Sequence, residues 1–278
     1  LVWTTTPWTL PANVAVAAGA DVDYVTVEHG LPEGGTERLI VAQALVEKVF
    51  GDDPVKVVET FKGKALKGKH YQPLFTYVPP EKPAHRVCLA DFVTTEDGTG
   101  LVHIAPAFGA DDMALAKEND LPIIQTVASD GTFISAVRPW AGQFVKDADP
   151  AITEELKTRG LLYRATRYTH TYPFCWRCST PLLYYALPTW YIRTSQYRDK
   201  LVSLNQNINW YPGHIKDGRF GNWLSNNIDW ALGRNRYWGT PLPVWECKKC
   251  HHQHCVGSVA ELSQMVGRDL TGLDLHRP

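Results

Sequence analysis

The sequence predicts an α+β fold in which a β-barrel-like domain with peripheral helices precedes an aromatic-rich second segment. Many short runs of alternating or β-branched residues predict strands in the first part, and brief stretches with helix start and stop signals lie between them. From about Tyr163 onward, aromatic residues crowd the sequence and cysteines occur in pairs. We therefore divide the chain into residues 1–165 and residues 166–278.

Short strands dominate the first part. Alternation predicts a half-buried strand at Asp23–Glu28, and Gly34-Gly35 form a turn before a second strand at Arg38–Val41, which gives a hairpin. Further strands are expected at Val55–Phe61, Gly100–Ile104 and Ile123–Ala128. Several short strands around one core favour a barrel-like arrangement.

Short helices are expected between these strands at Ala42–Phe50 and Ala110–Asn119. A third helix begins at Asp149, which we expect to be its N-cap, with Pro150 at the first helical position and Gly160 beyond its end. The sequence contains no glycine-rich nucleotide-binding loop and no internal repeat.

The formal net charge of −1 argues against a globally basic nucleic-acid binder. A local basic surface and a solvated face are both compatible with the Lys and Arg residues between positions 156 and 200: Lys157, Arg159, Arg164, Arg167, Arg177, Arg193, Arg198 and Lys200. The sequence has no apolar run that could span a membrane and no signal peptide, so we expect a cytoplasmic protein without a membrane partner. Because it begins at Leu1 and enters strand-like residues at once, we expect a fragment of a longer polypeptide.

A threonine-rich segment near the start of the chain carries the first candidate site residues: Thr4, Thr5 and Thr6. Successive threonines on an extended chain place hydroxyls on both faces, and the prolines that follow stiffen the backbone. The same residues also fit an ordinary edge strand that ends in a proline turn.

A second unusual stretch, residues 98–112, leads from a strand into a helix. The strand carries His103 to its end, a loop with Pro and Gly follows, and the helix starts with Asp111 and Asp112. Binding residues collect on loops that rigid elements support. Taken singly, His103 is best interpreted as a structural residue and each aspartate as a helix cap. Their occurrence together in one strand-loop-helix segment favours a binding site.

Together the two stretches resemble the editing insertion, or connective polypeptide, of class I tRNA synthetases for branched aliphatic amino acids. The first, Thr-Thr-Thr-Pro-Trp-Thr-Leu-Pro-x-Asn, is similar to the isoleucyl enzymes, because the valyl and leucyl enzymes have Arg at the position of Thr6 and an acid at that of Trp8. The second, Gly-Thr-Gly-x-Val-His-x-Ala-Pro-x-x-Gly-x-x-Asp, belongs to the whole group. Residues 230–243 resemble the family's return into the catalytic domain, with Leu232-Gly233 in place of the usual Ile-Ser.

The resemblance implies a hydrolase that removes valine from tRNA(Ile) charged in error. A pocket discriminates one methylene by only ~1–3 kcal/mol, a limit for which the isoleucyl enzymes are themselves the standard example. A second sieve must therefore admit valine and exclude isoleucine.

The resemblance also assigns roles to the candidate residues. Asp112 would anchor the α-ammonium group, with Asp111 beside it as a substrate contact or a helix cap. The size limit would be set by Trp8, His103 and Phe108. The threonines would bond to the ester and the terminal adenosine, and Asn13 would support them. Because no Ser-His-Asp or Cys-His set is evident, we expect a positioned water to attack the ester, with assistance from the terminal ribose hydroxyl.

Two Cys-x-x-Cys pairs, Cys175/Cys178 and Cys247/Cys250, predict zinc in a chain without a secretory signal, and so a zinc-ribbon-like connecting segment. The four thiolates could close one structural site, or each pair could be half of a ribbon completed outside this chain. Resemblance of residues 172–178 to the family's zinc-binding segment favours the second alternative, in which both sites would be incomplete here. A cluster beside the second pair offers other ligands or forms a solvated loop: His251, His252, His254 and Cys255.

The adenylate-forming motifs of the family, His-x-Gly-His and Lys-Met-Ser-Lys-Ser, are absent from the sequence. By resemblance, ATP and magnesium would bind only in the full-length enzyme, where the rest of the synthetase would act in cis. Three alternatives stay open: a zinc-stabilised nucleic-acid-binding module without catalysis, a valyl or leucyl editing domain, and a fragment that is inert because its tRNA-docking surface lies elsewhere.

Overall fold

The computed structural model describes residues 1–31, 34–169, 171–233 and 241–276. Two compact units divide the chain, Leu1–Ala186 and Leu187–Pro278. The strands are β1 (Ala15–Ala18), β2 (Asp23–Gly30), β3 (Thr36–Ala42), β4 (Val55–Lys62), β5 (Arg86–Leu89), β6 (Leu101–Ile104), β7 (Tyr191–Ile192), β8 (Trp230–Ala231), β9 (Val244–Glu246) and β10 (Gln253–Cys255). The α-helices are α1 (Val46–Phe50), α2 (Ala110–Glu118), α3 (Asp149–Thr158), α4 (Arg198–Gln206), α5 (Arg219–Ser225) and α6 (Val259–Val266).

A three-stranded sheet with the order β5-β1-β6 lies at the centre of the first unit. The strand β1 pairs parallel with β5 and antiparallel with β6, and all its residues are buried. Ala15 and Ala17 belong to one hydrophobic cluster, whereas Val16 and Ala18 belong to another. Small side chains suit this strand because apolar layers pack on both of its faces. Its pairing of Val16 with His103 sets the candidate histidine within the sheet.

The second sheet of this unit is antiparallel, with the order β3-β2-β4. The strands β2 and β3 form the predicted hairpin, and β4 pairs with the other edge of β2. The buried Tyr24 ties this sheet to the first, because its hydroxyl donates to the carbonyl of Gly100 at 2.6 Å and accepts from the amide of Gly19 at 3.0 Å.

Gly100, which precedes β6, contacts residues of the second sheet. Its φ is +75°, and an added Cβ would overlap the Cβ of Ala42. Both the left-handed backbone and the missing space therefore require glycine at this position.

The structure confirms most of the predicted strands and helices of the first part but corrects the barrel. Among the described residues, the sheets contain two or three strands and none closes into a barrel. The four-residue strands β5, β1 and β6 form a sheet with a separate hydrophobic cluster on each face. In a barrel, the strands would instead surround a single core. The strand predicted at Ile123–Ala128 is also wrong, since this segment is irregular and only Val127 forms a bridge, to Phe133.

Residues 166–186 belong to the first compact unit. The hydroxyl of Tyr185 donates to the carbonyl of Val127, and the amide of Ala186 donates to the carbonyl of Ala107. The predicted boundary at residue 165 separates a hydrolase domain from a connecting region by function, and that functional division stays a prediction.

The second unit contains α4, α5 and α6 with the two-stranded sheets β7-β8 and β9-β10. Asn205 is buried between its first two helices, where it donates to the carbonyl of Lys216 and accepts from the indole of Trp210. The motif predicted at residues 230–243 falls partly on residues 234–240, outside the described residues. None of the described helices combines the length and the apolar character needed to cross a membrane.

We expect Gly100→Ala to lower the free energy of unfolding by about 2–4 kcal/mol, because the methyl group collides with Ala42 and strains the backbone. Gly142→Ala is the matched control, since Gly142 has the same φ of +75° but no atom within 4 Å of an added Cβ. The control should lose only the strain energy, about 1 kcal/mol. Urea unfolding followed by circular dichroism measures both, and equal losses would contradict the packing role.

Candidate active site

The threonine-rich segment folds into a chain of hydroxyl groups. The three successive threonines precede a 3-10 helix that begins at Pro7 and ends at Ala12. Its first turn brings the hydroxyls of Thr6 and Thr9 to 3.3 Å, and the hydroxyl of Thr4 lies 3.3 Å from that of Thr6. This hydroxyl chain therefore comprises Thr4, Thr6 and Thr9, whereas Thr5 is exposed.

His103 contacts the hydroxyl chain from strand β6. Its Nε2 lies 2.8 Å from Oγ1 of Thr9, and its Nδ1 lies 3.1 Å from Nδ2 of Asn13. The side chain is 9% exposed, and burial lowers the pKa of His103 to about 4. The ring is therefore neutral at neutral pH and is bonded at both nitrogens. Such a ring positions its neighbours and is poorly suited to accept a proton from water.

Asn13 fixes the end of the threonine-rich segment. Its Nδ2 donates to the carbonyl of Ala15 at 2.9 Å, and its Oδ1 accepts from the hydroxyl of Tyr71 at 2.6 Å. Burial raises the pKa of Tyr71 well above its usual range, so the phenol keeps its proton and remains a donor. The sequence prediction missed Tyr71, because 58 residues separate it from Asn13.

Asp112 ties helix α2 back to the loop that follows β6. Its Oδ2 accepts from the amide of Ala105 at 2.8 Å, two residues after His103. An added Cβ on Gly109 would lie 2.8 Å from the carboxyl carbon of Asp112, so this close approach requires glycine. Asp111 is exposed and lies outside this arrangement.

The carboxylate of Asp112 is destabilised by its surroundings. Burial, reinforced by the nearby charge of Asp111, raises the pKa of Asp112 to about 6. In the described part of the chain, the amide of Ala105 is its hydrogen-bond donor and no cation pairs with it. A cation that docked beside Asp112 would offset the desolvation of the carboxylate, so this group suits an ammonium ligand.

Trp8 and Phe108, which we predicted to limit pocket size, do contact each other. Their rings meet edge to face with centroids 5.0 Å apart, and both side chains are buried. The ring of Phe108 also packs against Tyr185 at 6.4 Å. The 3-10 helix after the threonines and the loop after β6 thus meet through this aromatic contact.

Asp149 has a different role from the helix cap that we predicted. The N-cap of α3 is Ala148, and Oδ1 of Asp149 accepts from the backbone amide of Trp8 at 2.8 Å. Burial raises the pKa of Asp149 to about 6, although Lys146 opposes the shift. The cap prediction was wrong because the residue bonds to a distant segment instead of its own helix. Thr9, at the end of the hydroxyl chain that contacts His103, is a further residue absent from the predicted site.

The two Cys-x-x-Cys turns share one backbone geometry. The amide of each first cysteine donates to the carbonyl five residues later, from Cys175 to Thr180 and from Cys247 to His252. The residue after each second cysteine returns a bond to the first cysteine and has a positive φ: Ser179 at 55° and His251 at 56°.

Each cysteine turn could supply two thiolates, half of a tetrahedral zinc shell. Hydrogen bonds from Thr180 lower the pKa of Cys178, and backbone amides, first that of Cys250, lower the pKa of Cys247. Within the described ranges, no group of three or more His, Cys, Asp and Glu residues is placed to hold a metal ion. Two of the three histidines beside the second pair contact carboxylates: His251 with Glu246 and His254 with Glu261. Zinc at either pair stays a prediction.

Sequence comparison defines the class of protein to which this fold and site belong. The chain matches the family described as tRNA synthetases class I (I, L, M and V) over residues 5–271, and it belongs to that family.

Its curated relatives include the Isoleucine--tRNA ligases of Streptomyces avermitilis, Thermobifida fusca and Clostridium novyi, which are 52%, 51% and 50% identical across the whole chain. These matches confirm the resemblance seen in the threonine-rich and His103 segments. The chain spans 26% of the length of each of these relatives.

The solved structures that align with part of the chain include GlLeuRS-CP1 and a leucyl-tRNA synthetase editing domain. The crystal structure of GlLeuRS-CP1 aligns with 60% of this chain and 84% of its own, at 15% identity and a TM-score of 0.47. The Plasmodium falciparum cytosolic leucyl-tRNA synthetase editing domain aligns with 57% of this chain and 76% of its own, at 9% identity and a TM-score of 0.44.

We expect the change in the free energy of unfolding caused by Asp149→Asn to be more favourable at pH 7 than at pH 4.5. The folded-state pKa of about 6 lies above the unfolded value, so the wild-type side chain contributes stability at low pH that is lost as pH rises through 6. Asparagine keeps the acceptor for Trp8 but carries no charge. Urea unfolding at the two pH values should show a relative gain of about 1 kcal/mol, discounted for partial solvent exposure. An effect independent of pH would contradict the raised pKa.

Proposed function

We propose that this chain is the editing module of an isoleucine--tRNA ligase and that it hydrolyses the ester linking valine to tRNA(Ile). The observation that carries the proposal is the hydroxyl chain, which is hydrogen-bonded to His103 and through it to Asn13. It occurs in a sequence about half identical to enzymes named Isoleucine--tRNA ligase. The fine specificity for valine rests on three features: a fixed wall, a carboxylate without a cation, and neutral groups suited to hold water.

The fixed wall consists of Trp8, Phe108 and the bonded pair Thr9–His103. Trp8 is 3% exposed and Phe108 is 8% exposed, and each is held by an aromatic contact. Extra volume in a well-packed site costs about 1–3 kcal/mol because neighbouring side chains must move. Isoleucine would bring one more methylene against this wall than valine, and we propose that it is excluded on that ground.

The carboxylate of Asp112 would anchor the α-ammonium group of the valyl ester. The amide of Ala105 holds one oxygen in place, and no cation in the described part of the chain occupies the other. A charge-assisted bond to the ammonium would fix the direction of the ester carbonyl relative to the hydroxyl chain.

Water would be the nucleophile. The groups gathered here are hydroxyls, an amide and a neutral imidazole, none of which is an activated nucleophile. The water oxygen would bond to the ester carbonyl carbon while the ribose oxygen leaves with a proton, giving valine and free tRNA. A neighbouring ribose hydroxyl of the tRNA would assist, and orientation would supply most of the rate.

The acceptor end of valine-charged tRNA(Ile) would be the partner of this module. Trp176 is 85% exposed, and the guanidinium of Arg177 lies 4.7 Å from its ring, a combination suited to stacking on a base. In the whole enzyme, we propose that the rest of the synthetase acts in cis, binds ATP and magnesium, and ligates isoleucine to tRNA in the cytoplasm.

The rival function is a nucleic-acid-binding module without catalysis. The exposed Trp176 and the cysteine turns would serve it equally well, but it gives no role to the hydroxyl chain or to Asp112. Hydrolysis separates the two functions, because a binding module would retain charged tRNA intact.

We expect the purified chain to release valine from tRNA(Ile) at least about tenfold faster than isoleucine. Thr6→Ala should slow valine release by about tenfold, since it interrupts the hydroxyl chain. Thr60→Ala, on the exposed face of β4, is the matched control and should be neutral. Radiolabelled amino-acid release measures all three. Equal release of both amino acids would contradict the size limit, and binding without release, here and in a full-length synthetase carrying this chain, would favour the rival.

The anchor role of Asp112 predicts a pH dependence. Below pH 6 the carboxyl is protonated and cannot pair with an ammonium, so kcat/KM should rise between pH 5 and pH 7 with a midpoint of about 6. Asp112→Asn keeps an acceptor for Ala105 but removes the charge, and it should lower kcat/KM at pH 7 by about 10–100-fold and flatten the profile. Spontaneous ester hydrolysis at each pH is subtracted. An unchanged rate and profile in this variant would rule out the anchor.

A further inference from the structure

The amide of Asn13 has a defined orientation. Its nitrogen faces two carbonyl oxygens, that of Ala15 at 2.9 Å and that of Ile104 at 3.4 Å, which can only accept. Its oxygen faces the hydroxyl of Tyr71 at 2.6 Å. Reversing the amide would set oxygen against oxygen at Ala15 and would also leave the hydroxyl of Tyr71 without its acceptor. The two partners together therefore hold the nitrogen as the atom that faces His103.

This orientation determines the tautomer of His103. Nδ1 of the ring lies 3.1 Å from the donating nitrogen of Asn13 and must therefore be the bare, accepting nitrogen. The single proton of the neutral ring is then on Nε2, which donates to the hydroxyl oxygen of Thr9 at 2.8 Å.

The tautomer in turn sets the direction of each bond in the hydroxyl chain. Thr9 donates its own proton to the carbonyl of Thr6 at 2.8 Å, so toward the Thr6 hydroxyl it can only accept. The proton of Thr6 is thereby used, and Thr4 must donate to Thr6. The backbone amide of Thr6 donates to the hydroxyl oxygen of Thr4 at 3.1 Å. Each hydroxyl proton of the chain is therefore donated within the protein: from Thr4 to Thr6, from Thr6 to Thr9, and from Thr9 to the carbonyl of Thr6.

The oxygens of Thr4 and Thr6 therefore offer lone pairs, and no protons, to whatever binds over them. Both residues are half-buried, so a small molecule can reach them. A water that donates its protons to these oxygens turns its own lone pair away from the protein.

We infer that Tyr71 and Asn13 are positioning residues that select the Nε2–H tautomer of His103 and so make the hydroxyl chain an acceptor for the attacking water. Neither residue needs to touch the substrate for this role. The inference rests on the proposed function for its consequence in catalysis, but the tautomer itself is observable without substrate.

The first test is nuclear magnetic resonance of the chain with 15N-labelled histidine, in which protonated and bare ring nitrogens have distinct shifts. The His103 signals are assigned from their loss in His103→Gln. The wild type should show protonated Nε2 and bare Nδ1. Tyr71→Phe, which removes the hydroxyl but keeps the ring packed on His85, should show a mixture of tautomers. Asn13→Asp, whose carboxylate can only accept from the ring, should shift the proton to Nδ1.

The second test is the kinetics of valine release in a full-length synthetase that carries this chain. Tyr71→Phe should lower kcat by roughly three- to tenfold with KM unchanged, the effect of one hydrogen bond. Tyr24→Phe is the matched control, since it also loses a buried hydroxyl bonded at 2.6 Å but does not contact Asn13. It should share the loss of stability while retaining the wild-type tautomer and kcat.

The two tests separate failure of the inference from failure of the proposed function. A single wild-type tautomer in Tyr71→Phe would overturn the inference whatever the kinetics. An equal fall in kcat for Tyr24→Phe would reduce Tyr71 to a structural role. If the tautomers change as expected but the wild type releases no valine, the proposed function fails and the positioning role of Tyr71 stands.

Discussion

The burial of His103 is the constraint on which the rest of the site depends. A polar ring that is removed from water needs a hydrogen-bond partner at each nitrogen. The pairing of β1 with β6 sets the ring inside the sheet, and Asn13 and Thr9 satisfy its two nitrogens. Thr9 lies within the 3-10 helix and Asn13 is its C-cap, so the need to satisfy the ring also shapes the threonine-rich segment. The neutral imidazole of His103 thus connects the central sheet to the residues of the candidate site.

Two carboxyl groups form hydrogen bonds to the segments that carry the aromatic wall. Asp149 accepts from the backbone of Trp8, and Asp112 accepts from the backbone of Ala105, three residues before Phe108. Burial raises the pKa of both carboxyl groups to about 6, so each costs stability when ionised at neutral pH. Functional sites often retain a residue that lowers the stability of the protein when its charge is needed to bind a ligand. Asp149 has Lys146 nearby to moderate it, whereas Asp112 lacks a cation in the described part of the chain.

Local sequence patterns predicted the hairpin β2–β3, the strands β4 and β6, and the helices α2 and α3, because each has its own periodicity or end signal. They did not predict β1, since a strand buried on both faces has no alternation, and Ala15–Ala18 contains only small apolar residues. The barrel prediction rested on the number of short strands, and the sequence did not reveal that β1 is the centre of a sheet between two hydrophobic clusters. The motif residues Thr6, Asn13 and His103 were predicted and do lie together. Tyr71 and Asp149 were not, because their roles arise from contacts across 58 and 141 residues.

The neutral groups that would hold the water link selectivity to rate in the proposed reaction. An activated nucleophile would cleave any ester that reached it, so exclusion alone would decide which amino acid is lost. Here no ionised base is available at His103, and the water must be held by acceptor oxygens in one direction. Misplacement of a reacting group by about 1 Å can cost on the order of 10²-fold in rate. An ester pushed aside by one extra methylene would therefore lose alignment as well as affinity, and discrimination would exceed what the wall of Trp8 and Phe108 provides by volume alone.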